Sequence, residues 1–518
     1  MRGPVFNHCL TINFFGRNPL TDSATFLVDD ADVPDLRNAV SHIASVGYSE
    51  KRVLECLGLS DISDLKWRAL PIYREEKLAV RDVLVLAIDL FLLQGALQTV
   101  ELDRLFDKTD QDVLVRGGLL SINDKGVARA RASLFPVGDR LVFSDHAWPK
   151  LPHPGCANIP YDQVMPVGAD SRWLARTTTR RPVGAALDLC TGSGVHALLA
   201  ASHSQRVLAV DISPRAARCA RFNVQASGAD NVEIAIGDLY EPVRGERFDF
   251  ITANPPFVPS PVNSLRFRDG GFSGEDIQRR IVEGLPSHLA QGGIAQIVTE
   301  LGERDDESIA DRLRSWLGGA PIDILILRLR EHSTENYSIG HAEGDYDFGT
   351  FLDSVHDWAD NLRTHRYSRI VSVLLVFQWS DPAYGPPWIR SEETQPPLSN
   401  TGTEVDVMFA AERMSRMPNL YEILECSRLR RAGPIGLMEA RVLGSELRAN
   451  AQAQLLGKSL PIIRWLDPVE REILVLMEGP LEPPDIISHL RNFGFDKEAI
   501  YAAIRLLIRR GLVQLNDK

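Results

Sequence analysis

The middle of the chain is built from short, almost continuous apolar runs. Seven of them, at residues 185–189, 207–210, 232–236, 248–253, 294–298, 322–327 and 370–377, are separated by stretches of helical spacing. Strands that are apolar on both faces and alternate with helices predict a parallel sheet covered on both sides. The stretch 330–367, between the last two runs, is long and carries aromatic and histidine residues, which predicts an ordered insertion.

The two ends of the chain read differently. Helical spacing begins at Val33, with Asp35, Ala39, Ile43 and Val46 in one helix, a second starting at Ser49, a third over 80–97 and a fourth over 102–114. Arg116-Gly-Gly-Leu-Leu120, a polar turn at 123–126 and an alternating stretch over 127–134 follow, so helices give way to a hairpin as in a winged-helix-like unit. Such a unit serves more often in protein contacts or structure than in DNA binding. Near the other end, helices over 469–477, 485–491 and 496–510 precede Arg510-Gly-Leu-Val-Gln-Leu515, which has the form of the first strand of a wing. Residues 379–405 are rich in Pro, Ser, Thr and Glu and read as a linker or surface loop. The predicted architecture is α/β. A seven-stranded Rossmann-like domain (151–380) lies between a helical, winged-helix-like N-terminal domain (1–150) and, after a linker at 381–405, a similar C-terminal domain (406–518).

Composition is that of a globular protein, with 44% hydrophobic and 24% charged residues. The net charge of -12 argues against broad nonspecific binding to nucleic acid, although arginines such as those over 176–181 leave room for a local basic patch. The helix at 80–97 contains Arg81, Asp82, Asp89 and Gln94, so it is expected in a core and not in a membrane. No signal peptide is apparent, and a cytoplasmic location follows as an expectation. The six cysteines have no C-x-x-C spacing, so free thiols and no metal site are expected.

The first central run ends in Asp188-Leu-Cys190-Thr191-Gly192-Ser-Gly194. In open parallel sheets, ligands bind where the carboxyl ends of strands meet the following loops, and glycines there let the backbone turn and approach closely. The second run ends in Asp211-Ile212, placed to accept hydrogen bonds from ribose hydroxyls. The third ends in Gly237-Asp238-Leu239, suited to an adenine. Gly192-Ser-Gly-Val-His196-Ala also satisfies a loose dinucleotide fingerprint, so a nicotinamide cofactor competes for this loop. His196 is read as a packed or hydrogen-bonded residue. Cys190 is read as a small residue in a cramped loop and not as a nucleophile.

The fourth run leads directly into Asn254-Pro255-Pro256-Phe257. Two prolines fix the backbone and remove two N–H donors, freeing carbonyls to face a cleft. The Asn254 amide oxygen adds an acceptor and Phe257 a flat face. The set suits a planar group bearing NH2, either a glutamine amide or a nucleobase amine. Such chemistry needs alignment more than acid–base catalysis.

On these residues the central region resembles class I S-adenosylmethionine-dependent methyltransferases with an Asn-Pro-Pro-(Tyr/Phe) motif. It is most similar to the HemK/PrmC type, which methylates glutamine amides in proteins. Asp188 to Gly194, Asp211-Ile-Ser-Pro214, Asn223, Gly237-Asp238, Asn254 to Pro259, Arg268-Asp-Gly-Gly271, Gly274 and Gly292-Gly293 carry the resemblance, over about a quarter of the chain. It implies an enzyme with S-adenosyl-L-methionine as cofactor. Asp188, Cys190, Thr191, Gly192, Gly194, Asp211, Ile212, Asp238, Leu239 and Asn254 would contact the cofactor, and Asn254, Pro255, Pro256 and Phe257 the acceptor. Ribosomal RNA, transfer RNA and DNA methyltransferases share the tetrapeptide, and Phe257 stands where the glutamine enzymes usually have Tyr.

Four readings follow. The first is methylation of a protein or peptide side-chain amide. The second is methylation of an RNA or DNA base, with Arg266, Arg268, Arg279 and Arg280 around the cleft. The third is methylation of a small molecule of specialised metabolism, and the fourth a regulator that binds the cofactor without catalysis. The intact Asn254–Phe257 segment argues against the last. Oligomeric state is not legible in the sequence.

Overall fold

The computed structural model describes residues 26–28, 33–66, 69–146, 161–262, 264–342, 347–439, 451–456, 458 and 460–516. The expected boundary near 149–154 lies outside the described residues.

The centre is an eight-stranded sheet. Its strands are β1 Val183–Leu189, β2 Ser204–Asp211, β3 Val232–Ile236, β4 Phe248–Ala253, β5 Leu289–Glu303, β6 Ile322–Ser333, β7 Arg369–Trp379 and β8 Ile389–Glu393. Their order across the sheet is β8-β6-β7-β5-β4-β1-β2-β3. All seven apolar runs are strands of this sheet. Two expectations need correction. The eighth strand comes from the stretch predicted to be a linker, where Ile324 to Arg328 of β6 pair in parallel with Ile389 to Glu393. The sheet is also mixed, because β7 runs antiparallel to both β5 and β6. The physical reason lies in the insertion. It returns the chain to where it left, Ser333 pairing with Arg369, so the connection is a hairpin and not a crossover.

Side chains alternate along these strands and feed two cores. Ala186, Val207, Ala209, Phe250, Ile294, Leu325 and Leu374 face one side. Leu187, Leu208, Val210, Ile251, Ala295, Ile326 and Leu375 face the other. The first core continues without a break into the N-terminal helices and the helix Gly402–Ser415. Asn223 joins the parts by polar contacts as well: its amide accepts from the Phe143 N–H (2.8 Å) and donates to the Phe143 carbonyl (2.7 Å).

In the N-terminal part the expected helix over 80–97 is shorter. It starts at Val83, capped by Asp82, changes to π-helical turns over Ile88–Leu92 and gives way to a strand at Ala96–Gln98. Asp89 explains the ending. It is buried and paired with Arg74 (2.9 Å) and Arg81 (2.6 Å), and a Cβ at Gly95 would collide with its carboxylate. The expected helix over 102–114 is two helices, Thr99–Leu105 and Lys108–Arg116, the second capped by Asp107. Strand Ala96–Gln98 pairs with Val127–Ala130, which pairs with Leu120–Ile122. At the far end, Val513–Asn516 pairs with the upstream strand Arg428–Arg431. Among the described residues no helix is long and apolar enough to cross a membrane.

Candidate functional site

Burial of a carboxylate at the end of β1 organises the first loop. Asp188 is 1% exposed, and burial pushes its pKa up to about 6, so it is ionised at neutral pH. Its oxygens accept from the hydroxyls of Thr191 (2.5 Å) and Thr252 (2.8 Å) and from the Ala197 N–H (3.2 Å). Asp188→Ala leaves these donors unpaired inside the protein and should cost about 3 kcal/mol, seen as a lower urea midpoint. Asp188→Asn keeps an oxygen for Ala197 and should lose less than half of that.

Around Asp188 the chain takes left-handed conformations at Cys190 (φ 55°), Gly192 (φ 56°) and Gly194 (φ 83°). A Cβ at Gly194 would press on Ala220 at 3.2 Å, so glycine is needed there for close packing of the next helix as well. Asp211, at the end of β2, accepts from the Gly192 N–H and the Ser213 N–H, both at 2.8 Å. Burial raises its pKa, and the two backbone N–H groups and Arg266 oppose that rise. At the end of β3, Leu239 also has a positive φ (50°), and Asp238 is paired with Arg280 at 2.7 Å.

These loops surround a cavity of about 460 Å³. Cys190, Thr191, Gly192, Asp211, Ile212, Asp238, Leu239, Asn254 and Pro256 line it together. Asp188, Gly194, Pro255 and Phe257 do not: Asp188 and Gly194 act from behind the loop. Phe257 packs towards Trp358, Tyr337 and Leu362 of the insertion. Of the four expected cleft arginines, Arg266 and Arg280 line the cavity. Arg268 pairs with Asp269 (2.7 Å) and lies over the Trp358 ring, and Arg279 is absent from the lining.

Two parts of the wall, the 161–167 segment and Ser171, had no clear signal in the sequence, and His196, expected to be packed or hydrogen-bonded, is packed without a hydrogen bond. The segment 161–167 contributes Tyr161, Gln163, Val164 and Met165. Ser171 comes from helix α1, Ala169–Thr177. His196 is 4% exposed, neither ring nitrogen has a protein partner, and burial pushes its pKa down to about 4, so it is neutral. The Nε of Arg266 is likewise buried without a partner. Cys190 is a thiol, its pKa raised by burial and nearby carboxylates, which removes thiolate chemistry at neutral pH.

The Asn254–Phe257 segment closes one end of the cavity. The Asn254 NH2 group donates to Asp170 and to Ser171, both at 3.0 Å. Phe257 and Val258 donate their N–H groups to the Arg268 carbonyl (3.1 and 2.9 Å). Among the described residues no hydrogen bond reaches the carbonyls of Pro255 and Pro256. Gly270 supports this backbone from below: a Cβ there would meet Phe257 Cα and the Pro256 oxygen, both at 2.9 Å. Gly270→Ala must therefore displace the Pro256–Phe257 backbone and should cost about 2 kcal/mol of stability, read as a lower urea midpoint. The insertion braces the other side, where Asn361 donates to the carbonyls of Pro259 (3.2 Å) and Phe272 (2.8 Å).

Residues 167–315 match the family model described as Methyltransferase small domain. The ribosomal protein uL3 glutamine methyltransferase of Bradyrhizobium diazoefficiens is 39% identical over 148 residues, 25% of this chain and 46% of that protein. The release factor glutamine methyltransferase of Geobacter sulfurreducens is 36% identical over 152 residues, 26% of this chain and 53% of that protein. The chain spans about half the length of the curated relatives it matches.

Proposed function

We propose that this class I methyltransferase domain transfers a methyl group from S-adenosylmethionine to a side-chain amide nitrogen of a protein. One observation carries the reading. A single cavity is lined by Asp211 and by Asn254 and Pro256, joining the cofactor loops to a segment whose asparagine commits its NH2 group to Asp170 and Ser171.

The residues present suit the cofactor. The volume is that of a ligand of this size. Each oxygen of Asp211 keeps a free lone pair for a ribose hydroxyl after accepting one backbone N–H. His196 and Arg266 bring polar atoms that lack protein partners to the wall. Gly192, Asp238 and Leu239 also line the cavity and would hold the nucleoside of the cofactor. When bound, S-adenosylmethionine supplies an electrophilic methyl group.

The rest is work for the chain. Asn254 Oδ1 and the Pro256 carbonyl accept the two N–H groups of the acceptor amide and position its nitrogen for transfer. The transfer would join the methyl carbon to the amide nitrogen and leave the cofactor sulfur as a neutral thioether. One N–H proton leaves to solvent. The 161–167 segment and the Arg266–Gly271 loop meet at the wall of the cavity, where the Arg266 guanidinium lies 4.9 Å over the Tyr161 ring. The named activities of the uL3 and release factor relatives support the amide reading.

The test is transfer of labelled methyl from S-adenosylmethionine into a cell extract, with Asn254→Ala as control. Asn254-dependent label that protease removes is the expected result. Label that nuclease removes, or label in the small-molecule fraction, overturns the reading.

A further inference from the structure

The amide of Asn254 has two orientations half a turn apart, and only one of them turns its oxygen towards the acceptor. What selects between them lies on helix α1, 84 residues earlier in the chain. We propose that Asp170, helped by Ser171, is a positioning residue for methyl transfer, holding the Asn254 NH2 group so that the Asn254 oxygen faces the acceptor nitrogen. The inference rests on the reading of Asn254 as the acceptor clamp.

Asp170 Oδ2 and Ser171 Oγ each accept one of the two N–H groups of Asn254 at 3.0 Å. With both donors engaged, the only remaining polar atom of the side chain is an acceptor. The flipped amide would set its oxygen against the Asp170 oxygen that now accepts from it and lose that bond, so Asp170 favours one orientation, while the Ser171 hydroxyl, which can also donate, supports it as an acceptor. Asp170 stays where it is because it sits in the first turn of α1, where a carboxylate is favoured by the free N–H groups of the helix. A Cβ at Gly168 would press on its Oδ1 at 2.8 Å, so glycine leaves it room.

The surroundings sharpen the point. Burial raises the Asp170 pKa, while the hydrogen bond from Asn254 opposes the rise. Glu300 lies close enough to be felt: Ser372 (3.0 Å) and Tyr337 (2.7 Å) donate to it, and burial and then Asp170 raise its pKa. No arginine or lysine is paired with Asp170 among the described residues. A desolvated carboxylate with an asparagine as its side-chain donor is costly as a purely structural element. It is intelligible as a device that orients that asparagine.

The test compares Asp170→Ala, Asp170→Asn, Asn254→Ala and the Asp170→Ala/Asn254→Ala double variant in the full chain. The readouts are labelled methyl entering the protease-sensitive fraction of a cell extract and the dissociation constant of S-adenosylmethionine. Asp170→Ala should lower the saturated rate about thirtyfold with cofactor affinity within about twofold, a smaller loss than removing the clamp itself. Asp170→Asn still presents an oxygen to Asn254 and should recover to within about threefold of wild type. In the Asn254→Ala background, Asp170→Ala should cost less than about twofold more, because it acts through Asn254. A merely structural role would lower cofactor binding as well and would multiply with Asn254→Ala. That result, or a wild-type rate for Asp170→Ala beside an inactive Asn254→Ala, overturns this inference alone. An active Asn254→Ala overturns the function reading and this inference with it. Should Asp170→Ala fail to fold, Ser171→Ala removes the other acceptor and should cost about fivefold by the same route.

Discussion

Asn254→Ala should lower the rate of methyl transfer by about a thousandfold, about 4 kcal/mol of barrier, with S-adenosylmethionine bound as tightly as by the parent protein to within about twofold. The effect is large because Asn254 is the only side-chain acceptor in the clamp. Its two N–H groups are committed to Asp170 and Ser171, and among the described residues no hydrogen bond reaches its oxygen. Alanine removes that oxygen and leaves an acceptor amide free to rotate its lone pair away from the methyl carbon. Cofactor affinity should change little, because the loops proposed to hold the nucleoside are organised by Asp188 and Asp211 and not by Asn254. Rate and affinity measured on one preparation, by labelled transfer and by titration calorimetry, check both halves.

Asp211→Ala should do the reverse. It removes the acceptor for the Gly192 and Ser213 N–H groups and the carboxylate proposed to hold the ribose. Affinity for S-adenosylmethionine should fall about a hundredfold, about 3 kcal/mol, which matches the loss of charged hydrogen bonds from a desolvated site. With the cofactor saturating, the rate should recover to within about tenfold of the parent, because the clamp at the other end of the cavity is intact. A variant with unchanged affinity would remove Asp211 from the binding site.

What the sequence made legible has a physical pattern. Seven strands announced themselves because each is buried on both faces and so reads as a continuous apolar run. The eighth, Ile389–Glu393, carries one apolar residue among charges, since Arg390 and Glu392 are satisfied by Glu412 and Arg464 brought from far along the chain. Strand direction escaped for a different reason: an apolar run looks the same in both orientations, and only the return of the insertion to the end of β6 makes β7 antiparallel. The loops after β1, β2 and β3 were readable because they follow strands and need glycine or a carboxylate. Asp170 and Ser171 were not, because nothing local marks a helix start whose purpose is to hold a side chain 84 residues away. Phe257 was expected to offer its face to the acceptor, yet it packs against Trp358 and its neighbours in the insertion. A long-range contact of that kind leaves no trace in the tetrapeptide.

The central claim is that the methyl group arrives on a side-chain amide nitrogen. Acid hydrolysis of the labelled protein tests this most directly, because it cleaves every amide and frees a methyl group attached to amide nitrogen as methylamine. The account predicts that Asn254-dependent label appears as volatile methylamine. Label retained on an amino acid after complete hydrolysis would contradict it.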